Sequence, residues 1–465
     1  MECDLVVRGG RVVTAAADGV ADIGIRAGKI AQLGGEMRAG REIDASGLYV
    51  FPGGVDVHVH LSQAARPEPG RELWVDDFFT GSQAAIAGGI TTIGNMTFQW
   101  AGERLRDALE RDLAAAARDA AVDFILHPVL TEPTPAAVDE VAALAAQGHA
   151  SLKLFMSRDN FDAEADMYLR AMDAAAKSGL IVLMHCEDGA LQRFLKGRLA
   201  EEGRAGLRYY PDSRPIYTES VATERAIALA QATGASIYVV HLSSAAALSR
   251  CRAARAEGLP VYVETRPLYL YLTRERLEEP DGPKYTGAPP LRDATDVAAI
   301  WAGLRSGDVQ SVCTDHAPWT LRQKLDPSLT VATVRNGVAD LETLMPMLYS
   351  EGVRGGRITL SRFVELTSTN VAKIFGLYPR KGVIAVGSDA DLVVWDAERS
   401  RTIDGASMQS RAGYSVYDGR EVRGWPAFTI SRGDVVLEGT RIAAERGRGR
   451  WITVPARGRR AAPPL

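Results

Sequence analysis

Four histidines, one lysine and one aspartate lie inside or at the ends of short apolar segments of the chain. They are His58, His60, Lys153, His185, His241 and Asp315. The first two are separated by one residue, so on a strand both imidazoles face the same side. Imidazole nitrogens and carboxylate oxygens are ligands that suit Zn²⁺ and similar ions. Because the chain contains only seven histidines, four of them in such positions predict a metal centre.

Each of these residues also has an ordinary structural interpretation when it is taken alone. Asp315 could cap a helix. Lys153 could be a surface lysine, or the Schiff-base nucleophile of an aldolase-like barrel. We interpret His127 and His149 as structural. His316 adjoins Asp315 and should face the other way, which favours a supporting hydrogen bond over metal ligation.

The segments that carry these residues alternate with Ala-rich stretches of helical composition. The eight apolar segments are Val55–His60, Ile90–Met96, Val122–Pro128, Ser151–Met156, Leu180–Cys186, Ala235–His241, Val261–Thr265 and Val309–Asp315. Apolar strands that alternate with helices favour a parallel sheet covered on both faces. Eight units predict an α/β fold, a (β/α)8 TIM barrel, with a doubly wound sheet as the alternative. In a barrel the carboxyl ends of the strands form one rim, which would bring the six residues together.

Both ends of the chain have the character of short β-strands. We expect about four strands in residues 1–52, with turns at Gly9-Gly10 and Ala27-Gly28. Together with residues 382–465 they should form a small β-sandwich, and residues 53–381 should form the barrel inserted between them.

The C-terminal part should contribute strands over Ser388–Trp395 and Ala427–Leu437. The Arg- and Gly-rich tail, Arg446–Arg460, should extend over the surface or onto a neighbouring subunit.

Composition restricts the classes of partner and compartment. Of 465 residues, 46% are hydrophobic and 24% charged, as in ordinary globular proteins. A net charge of −4 implies no general affinity for nucleic acid. No apolar segment is long enough for a membrane span, and the start, MECDLVVRGG, lacks the apolar core of a signal peptide. Four cysteines scattered singly indicate a reducing compartment, so we expect a cytoplasmic protein without membrane or nucleic-acid partners.

Taken together, the motifs resemble the cyclic amidohydrolases of the amidohydrolase superfamily, nearest to the hydantoinase and dihydropyrimidinase branch. They run in order from end to end: FPGGVDVHVHL (51–61), DDFFTGSQAAIAGGITT (76–92), SLKLFM (151–156), HCED (185–188), VVHLSS (239–244), ETRPLYL (264–270), PPLRD (289–293), TDHAPW (314–319) and LTSTNVAKIFGLYPRKGVIAVGSDADLVVWD (366–396).

The resemblance implies two divalent metal ions, expected to be Zn²⁺, bridged by Lys153 as an N6-carboxylysine. The ligand groups would be His58, His60 and Asp315 on one ion, and His185 and His241 on the other. Two such ions lower the pKa of a shared water. The resulting hydroxide would attack the carbonyl of a hydantoin, a dihydropyrimidine or a related ring, and Asp315 would carry the proton to the leaving nitrogen. The resemblance also implies a homotetramer.

Three positions are expected to contact the substrate. Main-chain atoms at Ala288 and Asn336 match the positions that grip the ring in this family. Hydantoinases usually have a tyrosine where this chain has Arg158. This arginine could be a surface residue, an oxyanion donor, or a clamp for an anionic group, since guanidinium pairs bidentately with carboxylate. We expect a preference for rings with an acidic substituent.

Two other functions stay open at this point. In the loop Ser62–Trp74, the segment Glu68–Trp74 resembles the equivalent loop of allantoinases more than that of hydantoinases, which suggests an allantoinase-like ureide hydrolase. Ser62 stands where dihydroorotases have arginine, which argues against that branch. The other alternative is a non-catalytic dihydropyrimidinase-related assembly protein, although the complete set of six metal-site residues argues against it.

Overall fold

Strands from every part of the chain build two separate sheets. The computed structural model describes residues 1–61 and 74–455. Within these residues the strands are β1 (Glu2–Val13), β2 (Asp18–Arg26), β3 (Lys29–Leu33), β4 (Arg38–Asp44), β5 (Tyr49–Pro52), β6 (Gly54–Val59), β7 (Ile90–Phe98), β8 (Asp123–Val129), β9 (Ser151–Phe155), β10 (Ile181–His185), β11 (Ser236–Val239), β12 (Val261–Thr265), β13 (Ser311–Val312), β14 (Leu392–Thr402), β15 (Glu421–Ser431), β16 (Asp434–Glu438) and β17 (Arg441–Ile442).

The barrel consists of β6 to β13, each paired in parallel with the next in sequence. A bridge between Val59 and His316 joins the first strand to the segment after the last. The Thr314 hydroxyl donates to the Asp56 carboxylate across the same seam, at 2.6 Å. These contacts nearly close the sheet, so the prediction of a (β/α)8 barrel is confirmed and the doubly wound alternative is wrong.

The last predicted barrel segment, Val309–Asp315, is mostly not a strand. Only Ser311–Val312 pairs with β12. The backbone turns at Asp315, where φ is 51°, and a chain that turns this sharply cannot continue a ladder.

Helices follow the barrel strands and cover the outside of the sheet. They are α1 (Phe78–Gly88), α2 (Leu105–Asp119), α3 (Pro135–Leu144), α4 (Ala165–Ser178), α5 (Gly189–Glu201), α6 (Tyr210–Ser213), α7 (Ile216–Thr233), α8 (Ala245–Ala256), α9 (Leu268–Tyr271), α10 (Ala294–Ser306), α11 (Leu321–Lys324), α12 (Leu344–Leu348), α13 (Leu360–Val364) and α14 (Asn370–Phe375). Local sequence explains their ends. For example, Asp77 and Thr80 form a capping box at the start of α1, and Gly89 ends it with φ of 89°.

The two chain ends form one mixed sheet of nine strands, ordered β17-β16-β15-β14-β5-β1-β2-β3 with β4 also paired to β1. The predicted joint β unit is therefore present, with β14 antiparallel to β5 at the junction of the two ends. The exact boundaries of the two parts, after residues 52 and 381, stay a prediction.

Two turns of this sheet differ in kind from the prediction. Gly9-Gly10 is a bulge inside the continuous strand β1, where φ of Gly9 is 65° and the pairing with β2 shifts register. The predicted strand Ala427–Leu437 is a hairpin, because Arg432-Gly433 with φ of 45° and 80° turns β15 back into β16. The turn at Ala27-Gly28, between β2 and β3, is confirmed.

The C-terminal segment, residues 446–455, lies across the amino-terminal end of this chain's own barrel. Phe124 donates its N–H to the Arg450 carbonyl (3.0 Å) and accepts from Ile452 N–H (2.8 Å). Val454 N–H donates to the Gly148 carbonyl at 2.8 Å. Ile452 and Val454 are buried in the cluster of apolar side chains that fills the barrel. The tail thus covers its own barrel as far as residue 455, and its remaining residues lie outside the described range.

None of the helices in the described ranges combines the length and apolar character needed to cross a membrane. All four cysteines are buried and none forms a disulfide.

Candidate metal centre and active site

A pocket of about 290 Å³ opens at the carboxyl-terminal rim of the barrel. Five of the six predicted metal-site residues line it, together with all three predicted substrate contacts. The sixth, Lys153, is fully buried on β9. The barrel therefore brings together the side chains that the sequence scatters over five strands.

The first group of side chains comes from the ends of β6 and the turn after β13. The Nε2 atoms of His58 and His60 lie 3.3 and 2.9 Å from Oδ1 of Asp315. All three residues are buried. Burial lowers the pKa of His60 to about 4, so its imidazole is neutral at neutral pH and keeps a lone pair for a metal. This group could hold one ion.

The second group comes from β10 and the turn after β11. Nδ1 of His185 and Nε2 of His241 lie 2.9 Å apart. The His241 ring centroid is 5.6 Å from that of His58, so the two groups are neighbours. Burial and the neighbouring His185 hold the pKa of His241 well below its usual range. This group could hold a second ion.

Lys153 carries a buried amine that contacts the Phe155 ring, at 4.5 Å from Nζ to the ring centroid. Its side chain is 0% exposed, and Nζ makes no hydrogen bond within the described part of the chain. Burial lowers the pKa of Lys153 to about 8, which makes a neutral, nucleophilic amine accessible near neutral pH. Converted to a carbamate, this buried amine would supply anionic oxygens beside the two histidine groups, so the residues present would suit divalent metal ions.

Sequence reasoning missed the carboxylates that orient the histidines. Oε1 of Glu264 accepts from Nδ1 of His58 (2.7 Å) and from the backbone N–H of His241 (3.0 Å). A carboxylate only accepts, so this contact leaves Nε2 of His58 free for a metal. The sequence offered one signal for Glu264: it is the charged residue of the otherwise apolar strand VYVET, and a buried charge requires partners.

Glu187 orients a histidine of the second group, His185. Its Oε2 lies 2.8 Å from Nε2 of His185 and 2.5 Å from Nη1 of Arg214. Burial raises the pKa of Glu187, but Arg214 and His185 outweigh burial and lower it to about 2. The contact leaves Nδ1 of His185 for a metal.

Arg266, also missed, fixes the orientation of Asp315. Its Nη1 donates to Oδ2 of Asp315 at 2.9 Å, and the guanidinium is fully buried. Although burial raises the pKa of Asp315, the Arg266 charge outweighs burial and holds it well below its usual range. Oδ1 therefore stays anionic and faces the histidines.

Backbone geometry at the rim explains how two of the residues reach the pocket. His241 and Asp315 have φ of 40° and 51°, values that non-glycine residues rarely adopt. Both lie beyond the strands that were predicted to end on them. Strain of this kind is typical of functional sites.

The remaining histidines behave as structural residues. His316 faces away from the pocket, with Nε2 3.0 Å from Asp76 and Nδ1 accepting from Asp340 N–H. Nδ1 of His127 lies 2.6 Å from the Ser151 hydroxyl inside the barrel.

The predicted substrate contacts have distinct surroundings. Arg158 is half-buried at the pocket wall. Asn336 accepts from the Tyr210 hydroxyl through Oδ1 (2.6 Å) and from the Trp319 indole through its carbonyl (2.8 Å). Of the loop Ser62–Trp74, only Trp74 belongs to the described residues, and it lines the pocket. Ser62 and the rest of the loop lie outside the described range.

Comparison with known proteins identifies relatives along the whole chain. The sequence profile of the amidohydrolase family matches residues 49–436. The chain is 39% identical to a D-hydantoinase of Rhizobium radiobacter over 95% of this chain and 97% of that protein. Its structure is similar to a D-hydantoinase from a Bacillus sp. (TM-score 0.92, 37% identity, 97% and 100% of the two chains). It is also similar to the dihydropyrimidinase from Brevibacillus agri (TM-score 0.92, 36% identity, 97% and 98%). This chain therefore belongs to the amidohydrolase family, in its hydantoinase and dihydropyrimidinase branch.

Proposed function

We propose that this protein is a metal-dependent hydrolase that opens a cyclic amide: a hydantoin, a dihydropyrimidine or a related ring. The observation that carries the proposal is the buried amine of Lys153, which makes no hydrogen bond to the described residues and lies beside two groups of histidines. We propose two Zn²⁺ ions with Lys153 as an N6-carboxylysine. The proposed ligands are His58, His60 and Asp315 for one ion, and His185 and His241 for the other.

The chain's own residues supply orientation and proton transfer. When bound, two divalent ions polarise a carbonyl oxygen and lower the pKa of a shared water towards neutrality. Asp315 accepts the proton of this water at Oδ1 and transfers it to the leaving ring nitrogen, which departs poorly unless it is protonated. Arg266 keeps that oxygen facing the pocket by holding the other one.

Substrate binding in this proposal uses the pocket wall. Main-chain atoms at Ala288 and Asn336 would grip the ring, because both residues line the pocket. The Asn336 carbonyl has a second lone pair beyond the one that Trp319 uses. Arg158 would contact the substrate from the segment after β9.

The two alternative functions are not favoured. The relatives described above are a D-hydantoinase that matches over 97% of its length, a solved D-hydantoinase and a solved dihydropyrimidinase. A non-catalytic assembly protein needs none of the six metal-site residues, whereas this chain holds all six within one buried centre.

Metal analysis and turnover of Lys153→Ala test the proposal. The wild-type protein should hold about two divalent ions per chain and hydrolyse hydantoin or dihydrouracil. Lys153→Ala should lose both ions and turnover, and a short carboxylic acid such as propionate should partly restore both by replacing the carbamate. Lys177→Ala, a control at an exposed lysine on α4, should change neither. Active wild-type protein with at most one ion, or a Lys153→Ala variant of normal turnover, would contradict the proposal.

We also propose a cytoplasmic homotetramer. Four buried thiols without disulfides suit a reducing compartment. Tyr217 and Val221, one turn apart on α7, are 48% and 49% exposed, as expected for apolar side chains at a contact between subunits. A stable monomer in light scattering would contradict this assembly.

A further inference from the structure

Arg158 and Arg214 line the pocket, whereas Arg266 and Arg292 contact residues of its wall, and three of these four arginines pair with a carboxylate. The pairs are Arg214–Glu187, Arg266–Asp315 and Arg292–Glu219, with N···O distances of 2.5, 2.9 and 3.3 Å. Arg158 differs, because its guanidinium forms no ion pair with any residue in the two described ranges. It nevertheless lies at the pocket wall and is half-buried.

The acidic residues closest to Arg158 in sequence are engaged elsewhere. Asp159 pairs with Arg193 at 3.1 Å, and Asp162 pairs with Arg225 at 2.5 Å, both towards solvent. Neither carboxylate therefore balances the Arg158 charge.

Tyr168 on α4 holds the guanidinium without neutralising it. The Tyr168 hydroxyl interacts with the Arg158 side chain, and the ring is fully buried. Burial raises the pKa of Tyr168, so the phenol stays uncharged. Arg158 is thus held in place at the pocket wall, and no carboxylate in residues 1–61 or 74–455 forms an ion pair with it.

An uncompensated cation in a partly desolvated wall is stabilised by an anion that enters the pocket. The wall beside it is apolar, with Phe98 and Phe155 rings 5.8 Å apart. We propose that Arg158 binds a carboxylate on the ring substituent of the substrate, so that the enzyme prefers cyclic amides with an acidic side chain. This inference rests on the proposed function and names the substrate class of that site.

Two matched substrates test it: hydantoin with a 2-carboxyethyl substituent at C5, and its uncharged 2-carbamoylethyl analogue. The metal-loaded wild-type enzyme should favour the acid about ten- to a hundredfold in kcat/KM, mostly through a lower KM. Arg158→Met should bring this ratio close to one. Arg158→Lys, which keeps the charge but loses the planar fork, should keep part of the preference. Arg193→Met, at an exposed arginine nearby, should keep the whole ratio, and metal content should be equal in all variants.

Three other results would contradict the inference, and they differ in what they say about the proposed function. If the wild-type enzyme hydrolyses both rings equally well, the inference is wrong and the proposed function stands. If Arg158→Met lowers kcat for both rings by the same factor, the arginine stabilises the oxyanion and the carboxylate assignment is wrong. If the metal-loaded wild-type enzyme hydrolyses neither ring nor unsubstituted hydantoin, the proposed function fails and the inference with it.

Discussion

At the scale of single residues, one carboxylate supports both halves of the centre. Glu264 contacts a side-chain nitrogen of His58 and the backbone N–H of His241, and it is fully buried. The sequence identifies the histidines because their residue type and position after apolar segments are informative. It does not identify Glu264 as their partner, because a hydrogen bond between strands depends on spatial register. The positive φ at His241 is likewise invisible in the sequence.

Replacing this carboxylate should weaken metal binding. Glu264→Gln keeps the shape but removes the charge that fixes the His58 tautomer, so affinity for the proposed ions should fall about 10- to 100-fold. Competition with a chromogenic chelator measures this. The control Glu257→Gln, at an exposed position, should leave the affinity unchanged. Equal affinity of the wild-type protein and Glu264→Gln would show that Glu264 has no such role.

At the scale of elements, the apolar segments predicted the barrel strands well because buried parallel strands leave a continuous hydrophobic signal. The mixed sheet was harder to predict. A Gly-Gly pair has the same composition in a turn and in a bulge, and only the pairing of β1 with β2 distinguishes them. The C-terminal segment was also ambiguous, since its few apolar residues have no periodicity and are buried only against the barrel.

Those few apolar residues should matter for stability. Ile452 is 2% exposed inside the apolar cluster of the barrel. Ile452→Ala should lower the free energy of unfolding by about 2–4 kcal/mol, through lost burial and the cavity left behind. Urea denaturation measures the change. The neighbouring residue Thr453 is exposed, so Thr453→Ala should change the free energy of unfolding by less than about 0.5 kcal/mol. Similar values for the two variants would mean that the segment does not seal the barrel.

At the scale of the whole molecule, one lysine connects the barrel to the mixed sheet. Nζ of Lys381 lies 2.6 Å from Asp123 at the start of β8 and 3.2 Å from Asp389, and it also contacts Asp391 next to β14. Lys381 is only 2% exposed. Burial lowers the pKa of Lys381, but the three carboxylates outweigh burial and raise it to about 12. The spacing of the three carboxylates is also that of a metal site. Because the Lys381 ammonium lies among them, we interpret the cluster as an ion-pair network.

Removing this charge should destabilise the fold at neutral pH. Lys381→Met leaves the buried Asp391 without an ion pair among the described residues and should cost about 3–5 kcal/mol. Lys29→Met removes a pair with the same Asp389 from a 54% exposed side chain, and should cost less than about 1 kcal/mol. Chemical denaturation of both variants measures the difference.

The ion pairs of Lys381 also make the free energy of unfolding fall at high pH. The pKa of Lys381 is raised on folding above 10.5, so its stabilisation is complete below that pH and disappears as pH rises through about 12. The difference in the free energy of unfolding between the wild-type protein and Lys381→Met should therefore become smaller between pH 10.5 and about 12. A difference that stays constant would show that the Lys381 charge does not hold the barrel and the mixed sheet together.

The junction of β5 with β14 has a consequence for synthesis on the ribosome. β5 is made early, but its antiparallel partner is encoded beyond the entire barrel. At about 5–20 residues per second, translation of the intervening chain takes tens of seconds. During that time the outer side of β5 is an unpaired edge, which invites association with other nascent chains. Pairing of β5 with β14 must therefore wait until the whole barrel has been synthesised, and molecular chaperones have most to protect in this interval.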